Sequence, residues 1–335
     1  MLREAIASIL SQSFNNFELL IVDDASTNGI CEYLDTLTDS RIRIIKNTQR
    51  LGISKSKNLG INQASGKYLA LMDSDDVAKP DRLKTQYRYM EKHKDVLLCG
   101  SWFQFFGNKI GNSRTKINNM ESYRIRMFST YPGPLQSTFF IRLVSLKRNN
   151  IQYDETLSYA EDYKLLLDIS EHSKIAVIRR PLVMHRVHEN QVTNTKIEAI
   201  VESEKKVKSY LLSTLIDNIS EDDIELHSKC TCGYYRDVPI TQETELFYQK
   251  LIDINRIKKV YHTRQFESMI YQIKKRLIWQ TIKGDFSKSE KIMLFFKKLP
   301  FFMATKEILK MSKMKISHLL IPKTFNKSHH ILYFL

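Results

Sequence analysis

Two short hydrophobic runs in this sequence end in carboxylates. Ile21-Val22 leads into Asp23-Asp24, and Leu71-Met72 leads into Asp73-Ser74-Asp75-Asp76. Converging carboxylates repel one another unless a cation or hydrogen-bond donors neutralise them. Their hard oxygens suit Mg²⁺ or Mn²⁺, which bind through one or two carboxylates and the phosphates of a substrate. Acids at strand ends also act as solvated groups or helix caps. Two such clusters at the carboxyl ends of neighbouring strands favour a metal–diphosphate site over that structural use. A third acidic pair, Glu161-Asp162, opens the amphipathic stretch in LSYAEDYKLLLDI, where first-turn acids gain about 0.3–1 kcal/mol from the helix dipole.

The elements around these residues alternate. Residues 2–13 carry Leu2, Ala5, Ile6, Ile9 and Leu10 at helical spacing. An apolar run over 17–22 predicts a strand, 29–37 a helix, and the β-branched run over 42–45 a second strand. A helix over 53–64 is expected to close at Gly66, and a strand over 68–72 to precede a helix opened by Pro80-Asp81. That alternation predicts a parallel sheet covered by helices. Beyond Lys94 the pattern predicts one or two strands over 96–106, a polar loop over 107–115 and a strand over 137–142. A helix over 160–172 and two short strands around Pro181 follow, and the chain is helical in pattern from about Ile197. The expectation is an α/β domain over 1–195 and a mostly α-helical, basic extension over 196–335.

The stretches FELLIVDDAST and NTQRLGISKSKNLGINQASGKYLALMDSDDVAKPDRL carry a specific likeness. Over roughly residues 1–195 the sequence resembles the family 2 glycosyltransferases of the GT-A fold, a Rossmann-like architecture. The resemblance implies transfer of a sugar from a nucleotide-diphosphate donor, a UDP-sugar in the expected case, to an acceptor hydroxyl with inversion. It places Asp23, Asp24, Gly52, Lys57, Asn58 and Asp73 at the nucleotide. It matches Asp73-Ser74-Asp75 to the family's Asp-x-Asp motif, in which Asp75 holds Mg²⁺ or Mn²⁺ on the diphosphate. Glu161-Asp162 matches the catalytic pair, with Asp162 as the base that takes the acceptor proton. In MHRVHENQVT, His185 and His188 match a segment in which a His approaches the metal or the phosphates, and His188 is the expected ligand beside Asp75 and Asp73. Arg186 is an alternative contact to the diphosphate.

The sequence also departs from that family. A strand of the type Val-Ser-Val-Ile-Ile-Pro-x-Tyr-Asn, expected before the first helix, is absent, and its loss would expose the edges of neighbouring strands. Gln136 stands where many relatives have a His. The Gln-x-x-Arg-Trp motif of processive synthases is missing, which points to addition of a single sugar. Gly60-(x)5-Gly66-Lys67 lacks the spacing and the final Ser/Thr of a phosphate-binding loop. His227, Cys230 and Cys232 form an incomplete zinc pattern and read as a surface cluster.

Charge divides the chain. Residues 1–249 hold 33 Lys+Arg against 32 Asp+Glu, whereas residues 250–335 hold 19 against 5. Basic residues there alternate with apolar ones, as in FESMIYQIKKRLIWQTIKGDF and FFKKLPFFMATKEILKMSKMKISHLL. Such helices either dock on an anionic membrane face, at about 1 kcal/mol per basic residue, or pack on the domain with a solvated Lys side. Nucleic acid is not the expected partner, since no recognised module is present. Four cysteines in 335 residues are too few for a disulfide framework. No apolar run approaches the ~18 residues of a membrane span, and the amino terminus does not read as a signal peptide. These features predict a cytoplasmic protein, peripheral at the inner membrane face, acting on glycan or lipid-linked acceptors in cell-surface glycan synthesis. The competing reading is a catalytically weak or inactive remnant that binds a membrane or partner through residues 250–335.

Overall fold

The structure, a computed structural model, describes residues 1–283 except Asn28, Asn190, Arg236 and Asp237. The elements in chain order are α1 (Leu2–Leu10), β1 (Leu19–Asp23), α2 (Ile30–Asp35), β2 (Ile42–Lys46), α3 (Ile53–Gln63), β3 (Tyr68–Ala70), β4 (Val77–Ala78) and α4 (Arg82–Lys92). They continue with β5 (Val96–Gly107), β6 (Gly111–Ser113), α5 (Met120–Met127), a 3₁₀ turn at Gln136–Thr138, β7 (Phe140–Arg142), α6 (Leu143–Arg148), α7 (Glu161–His172) and β8 (Lys174–Val187). Five helices complete the described chain: α8 (Val192–Thr195), α9 (Ile197–Ser213), α10 (Glu221–Thr231), α11 (Gln242–Lys258) and, as the last, α12 (Thr263–Lys283), with α8 a single short turn.

The strands form two sheets. β1 and β2 pair in parallel as a two-stranded unit, and the larger sheet runs β3-β7-β5-β8-β4 with β6 added on β5. The larger sheet is mixed: β5 and β8 are parallel, while β3–β7, β5–β7, β4–β8 and β5–β6 are antiparallel. This corrects the expectation of a parallel sheet. It also corrects the placing of the two acidic clusters on neighbouring strands, because β1 and β3 belong to different sheets. Each has one paired edge. Leu19, Leu20, Ile21 and Val22 are only half-buried, and Ala70 is exposed, although such runs are normally core strands.

β5 has the opposite character. Its first six residues are all buried, and its side chains serve two cores, one on each side. Leu98 joins Phe139, Ile141, Leu165, Leu166 and Ile169 on one face, and Cys99 joins Leu83, Met90 and Phe140 on the other. The first core continues without interruption into Val207, Leu211, Tyr248, Phe266, Ile270 and Leu277 of the C-terminal helices. The basic segment opening FESMIYQIKKRL therefore spends its apolar side inside the protein, which is the packed alternative of the two considered. The remaining basic stretch, FFKKLPFFMATKEILKMSKMKISHLL, lies outside the described residues.

Three local expectations change. Helix α3 ends at Gln63 with Ala64 extended, and Gly66 is not among the residues at positive φ. In place of two short strands, β8 runs through Pro181 as one strand. The partner of Ser101 is Ile178 and that of Trp102 is Pro181. The bulge at Arg179-Arg180 lets the strand absorb a proline that has no N–H for the ladder. His227, Cys230 and Cys232 are not a surface cluster: all three are buried, and Tyr248 Oη lies 3.3 Å from His227 Nδ1.

Candidate active site

The Asp23-Asp24 end is saturated with donors. Asp24 accepts from Asn47 Nδ2 at 2.9 Å, Leu51 N at 2.8 Å and Gly52 N at 2.9 Å. Burial opposes its charge, but these bonds outweigh it and hold the carboxyl below the usual range. Asp23 is buried and accepts from Ser26 N at 3.3 Å and from the Cys31 thiol at 3.2 Å, with its pKa likewise lowered despite burial. Gly52, at φ 91°, caps α3 in a backbone region that a side chain would strain. Asn58, on α3, is buried and turned elsewhere: it donates to Tyr153 O and Glu155 Oε1 and accepts from Tyr153 N. Its place is the joint between α3 and the 153–155 loop.

The Asp73–Asp76 end meets histidines and a hydroxyl instead. Because β4 pairs with the last part of β8, the turn after β3 lies against His185-Arg186-Val187-His188. Asp75 Oδ2 is 3.1 Å from His188 Nε2, and Asp76, fully buried, is 3.0 Å from His185 Nδ1 and accepts from Arg186 N at 2.9 Å. Burial disfavours the His185 imidazolium, yet the Asp76 carboxylate more than offsets this and raises its pKa. Phe103 and Phe105 face that ring edge-on. Asp73 accepts from Ser137 Oγ at 2.7 Å, and burial raises its pKa against the pull of Lys57 and Ser137.

Between these ends lies the start of α7. Lys57 Nζ is 2.7 Å from Glu161 Oε1 and also donates to Gln136 Oε1, and Gln136 Nε2 donates to Tyr153 Oη at 3.2 Å. Asp162 sits beside this pair. Burial first, then the Glu161 charge, raise its carboxyl to about 7 against Lys57, Tyr131 and the Tyr163 amide. A carboxylate poised near neutrality is suited to take a proton from a hydroxyl. Ala25 and Ala160 both sit at positive φ, directly after Asp24 and directly before Glu161. For residues with a Cβ this costs of the order of 1 kcal/mol, and such strain gathers at functional sites.

The structure thus brings together Lys57, Glu161, Asp162 and Asp73 in one cluster, and Asp75 with His188 in an adjoining one. Asp23, Asp24 and Gly52 form a separate network, and Asn58 belongs to none of these. For a divalent cation, Asp75 and His188 offer a carboxylate oxygen and an imidazole nitrogen side by side. Among the described residues no group of three or more His, Cys, Asp or Glu could enclose a metal. Such a two-ligand anchor fits a cation that takes its other ligands from phosphates and water. Several participants escaped sequence reasoning, notably Ser137, Tyr131 and Tyr153. So did Arg82, fully buried, which donates to Leu71 O at 2.6 Å and to Gln86 Oε1 at 3.1 Å. Gln86 in turn donates to Thr138 O at 2.7 Å. This pair ties the backbone before Asp73 to the turn that carries Ser137, and the four-residue spacing of Arg82 and Gln86 on α4 was its one legible signal.

The family described as Glycosyl transferase family 2 matches residues 1–147. An uncharacterized glycosyltransferase of Haemophilus influenzae is 26% identical over 288 residues, 82% of this chain and 89% of that protein. The Escherichia coli enzyme UDP-Glc:alpha-D-GlcNAc-diphosphoundecaprenol beta-1,3-glucosyltransferase WfaP is 26% identical over 69% of this chain and 84% of its own length. The crystal structure of S. aureus TarS 1-349 in complex with UDP-GlcNAc superposes with a TM-score of 0.53 at 17% identity, covering 83% of this chain and 85% of that one.

Proposed function

The chain belongs to the family 2 glycosyltransferases and has their GT-A fold, and on that premise we propose that it transfers a single sugar from a UDP-sugar to a hydroxyl of a glycan or lipid-linked acceptor, with inversion. The observation that carries the reading is the placement of Asp162, a half-buried carboxyl at the start of α7 beside the Lys57–Glu161 pair, where its pKa is pushed up to about 7. The related WfaP, named for a UDP-glucose donor and a diphosphoundecaprenol-linked acceptor, supports the donor and acceptor classes. TarS, crystallised with UDP-GlcNAc, has the same fold.

In this reading Asp162 accepts the proton of the acceptor hydroxyl as it attacks the anomeric carbon. Lys57 holds Glu161 and with it the entrance to α7, so that the base keeps its position as charge moves. Asp75 and His188 would hold a Mg²⁺ or Mn²⁺ ion, which when bound supplies positive charge at the donor diphosphate. The Asp24 network shapes the loop 47–52 that lines the nucleoside side. Membrane association at the inner face of a cytoplasmic membrane is part of the proposal; in α12 the apolar side is packed and Arg276 is engaged, donating to Cys230 O. Among the described residues no helix is long and apolar enough to cross a membrane.

Calorimetry of UDP with Mn²⁺ and with EDTA tests this reading. Binding that needs the metal, is lost in Asp75→Ala and persists in Asp162→Asn, while Asp162→Asn loses turnover, is the expected pattern. Equal affinity with EDTA and with Mn²⁺ would overturn the metal–diphosphate assignment.

A further inference from the structure

The residue that the family resemblance offers as an alternative diphosphate contact, Arg186, is a cation beside Asp75. Arg186 lies in the last part of β8, two residues before His188. Its Nε donates to Asp75 O at 2.9 Å, its carbonyl accepts from Gln191 Nε2 at 2.6 Å, and its guanidinium lies 4.3 Å from the centre of the Phe106 ring. Its side chain is 17% exposed, and its ion-pair partner is Glu4, from the first turn of α1 and 61% exposed. The two halves of this pair are unequal. Arg186 is fixed by its neighbours on the turn and on β5 whether or not Glu4 is present, whereas Glu4 is exposed and has, besides Arg186, the Met1 amino group at 3.9 Å. A guanidinium in such a frame, next to Asp75, presents a flat pair of donors of the shape that recognises phosphate oxygens in bidentate fashion.

We propose that Glu4 is an internal competitor of the donor diphosphate: its carboxylate occupies the Arg186 guanidinium in the empty enzyme and yields it to phosphate oxygens when the donor enters. Glu4 is then a positioning residue that sets donor affinity from α1. No bond is made or broken in this exchange, only one ion pair for another. The inference rests on the diphosphate site of the preceding section.

The test is titration of the full chain with UDP and with uridine at fixed Mn²⁺, in the wild type, Glu4→Gln, Glu4→Ala, Arg186→Gln and the double variant Glu4→Gln/Arg186→Gln. Both Glu4 variants are expected to bind UDP about two- to fivefold more tightly, the range by which exposed ion pairs compete, with uridine affinity unchanged. Arg186→Gln is expected to weaken UDP at least about tenfold, as for loss of a charged hydrogen bond, and to abolish the Glu4 effect in the double variant. Unchanged or weaker UDP binding in both Glu4 variants overturns the exchange. So does an equal shift for uridine, which would mark a merely structural effect. Wild-type protein that binds no UDP overturns the diphosphate site itself, and the exchange with it.

Discussion

The two acidic strand ends look alike in sequence and behave in opposite ways. After β1, each carboxylate is met by donors from its own neighbourhood: three for Asp24, and an amide and a thiol for Asp23. Their pKa values are lowered, and their charge is used up in holding a loop. After β3, the carboxylates meet side chains from distant parts of the chain, His185, His188 and Ser137, and Asp73 is raised by burial. The lesson is that a carboxylate saturated by backbone donors shapes a site, while one left facing imidazoles or buried without enough donors is available for chemistry.

The contrast can be broken from either side. The largest effect is expected at the carboxylate outside both ends: Asp162→Asn should lower turnover by about 10²–10⁴-fold, the usual contribution of a general base, with UDP binding retained. The acid limb of the rate should rise through an apparent pKa of about 7, set by Asp162. Next comes Asp75→Ala, with Mn²⁺-dependent UDP affinity down about 100-fold in calorimetry and the urea midpoint little changed. Asp24→Ala should do the reverse. Loss of the hydrogen bonds to the half-buried Leu51 amide and the exposed Gly52 amide, which water can replace, costs about 1 kcal/mol in urea unfolding, while the metal dependence of UDP binding survives.

The smallest effect is the pH dependence of stability, which separates the two ends by sign. Asp23 and Asp24 have folded pKa values below the unfolded 3.8. Their contribution is complete above that value and fades as pH falls through the folded one. Asp73 and Asp162 are raised, so the folded state holds protons that the unfolded chain has already released. For Asp162 this means stability declines as pH rises from about 4 towards about 7. Urea midpoints across pH 2–8 for Asp24→Asn and Asp162→Asn should flatten opposite limbs of the curve.

Much of the site was legible because its chemistry sits in short local motifs. Asp73-Ser74-Asp75 was marked by its clustered acids and by the family resemblance, and Glu161-Asp162 by that resemblance and by the start of a helix; α7 does begin at Glu161. What could not be read depends on pairing across the chain. Whether β1 and β3 are neighbours is decided by strands elsewhere, and the run Leu19–Val22 is equally apolar in either case. The bulge that carries β8 past Pro181 depends on β5, some 75 residues earlier, supplying the partner strand. His227, Cys230 and Cys232 were misplaced for a similar reason. Polar side chains in a helical stretch read as surface until α11 and α12 are seen to cover them.

The division into two sheets bears finally on motion. The β1–β2 pair is attached to the rest of the protein largely through α3, whose Ser54 and Asn58 hydrogen-bond to the 153–157 segment. A small unit with half-buried strands and few ties should open more readily than the β5–β8 core. Its amides should therefore exchange with deuterium well before those of Leu98 or Ile175. A nucleotide seated on the Asp24 loop would slow that exchange, so donor binding would be recorded as local protection of one unit with the main sheet unaffected.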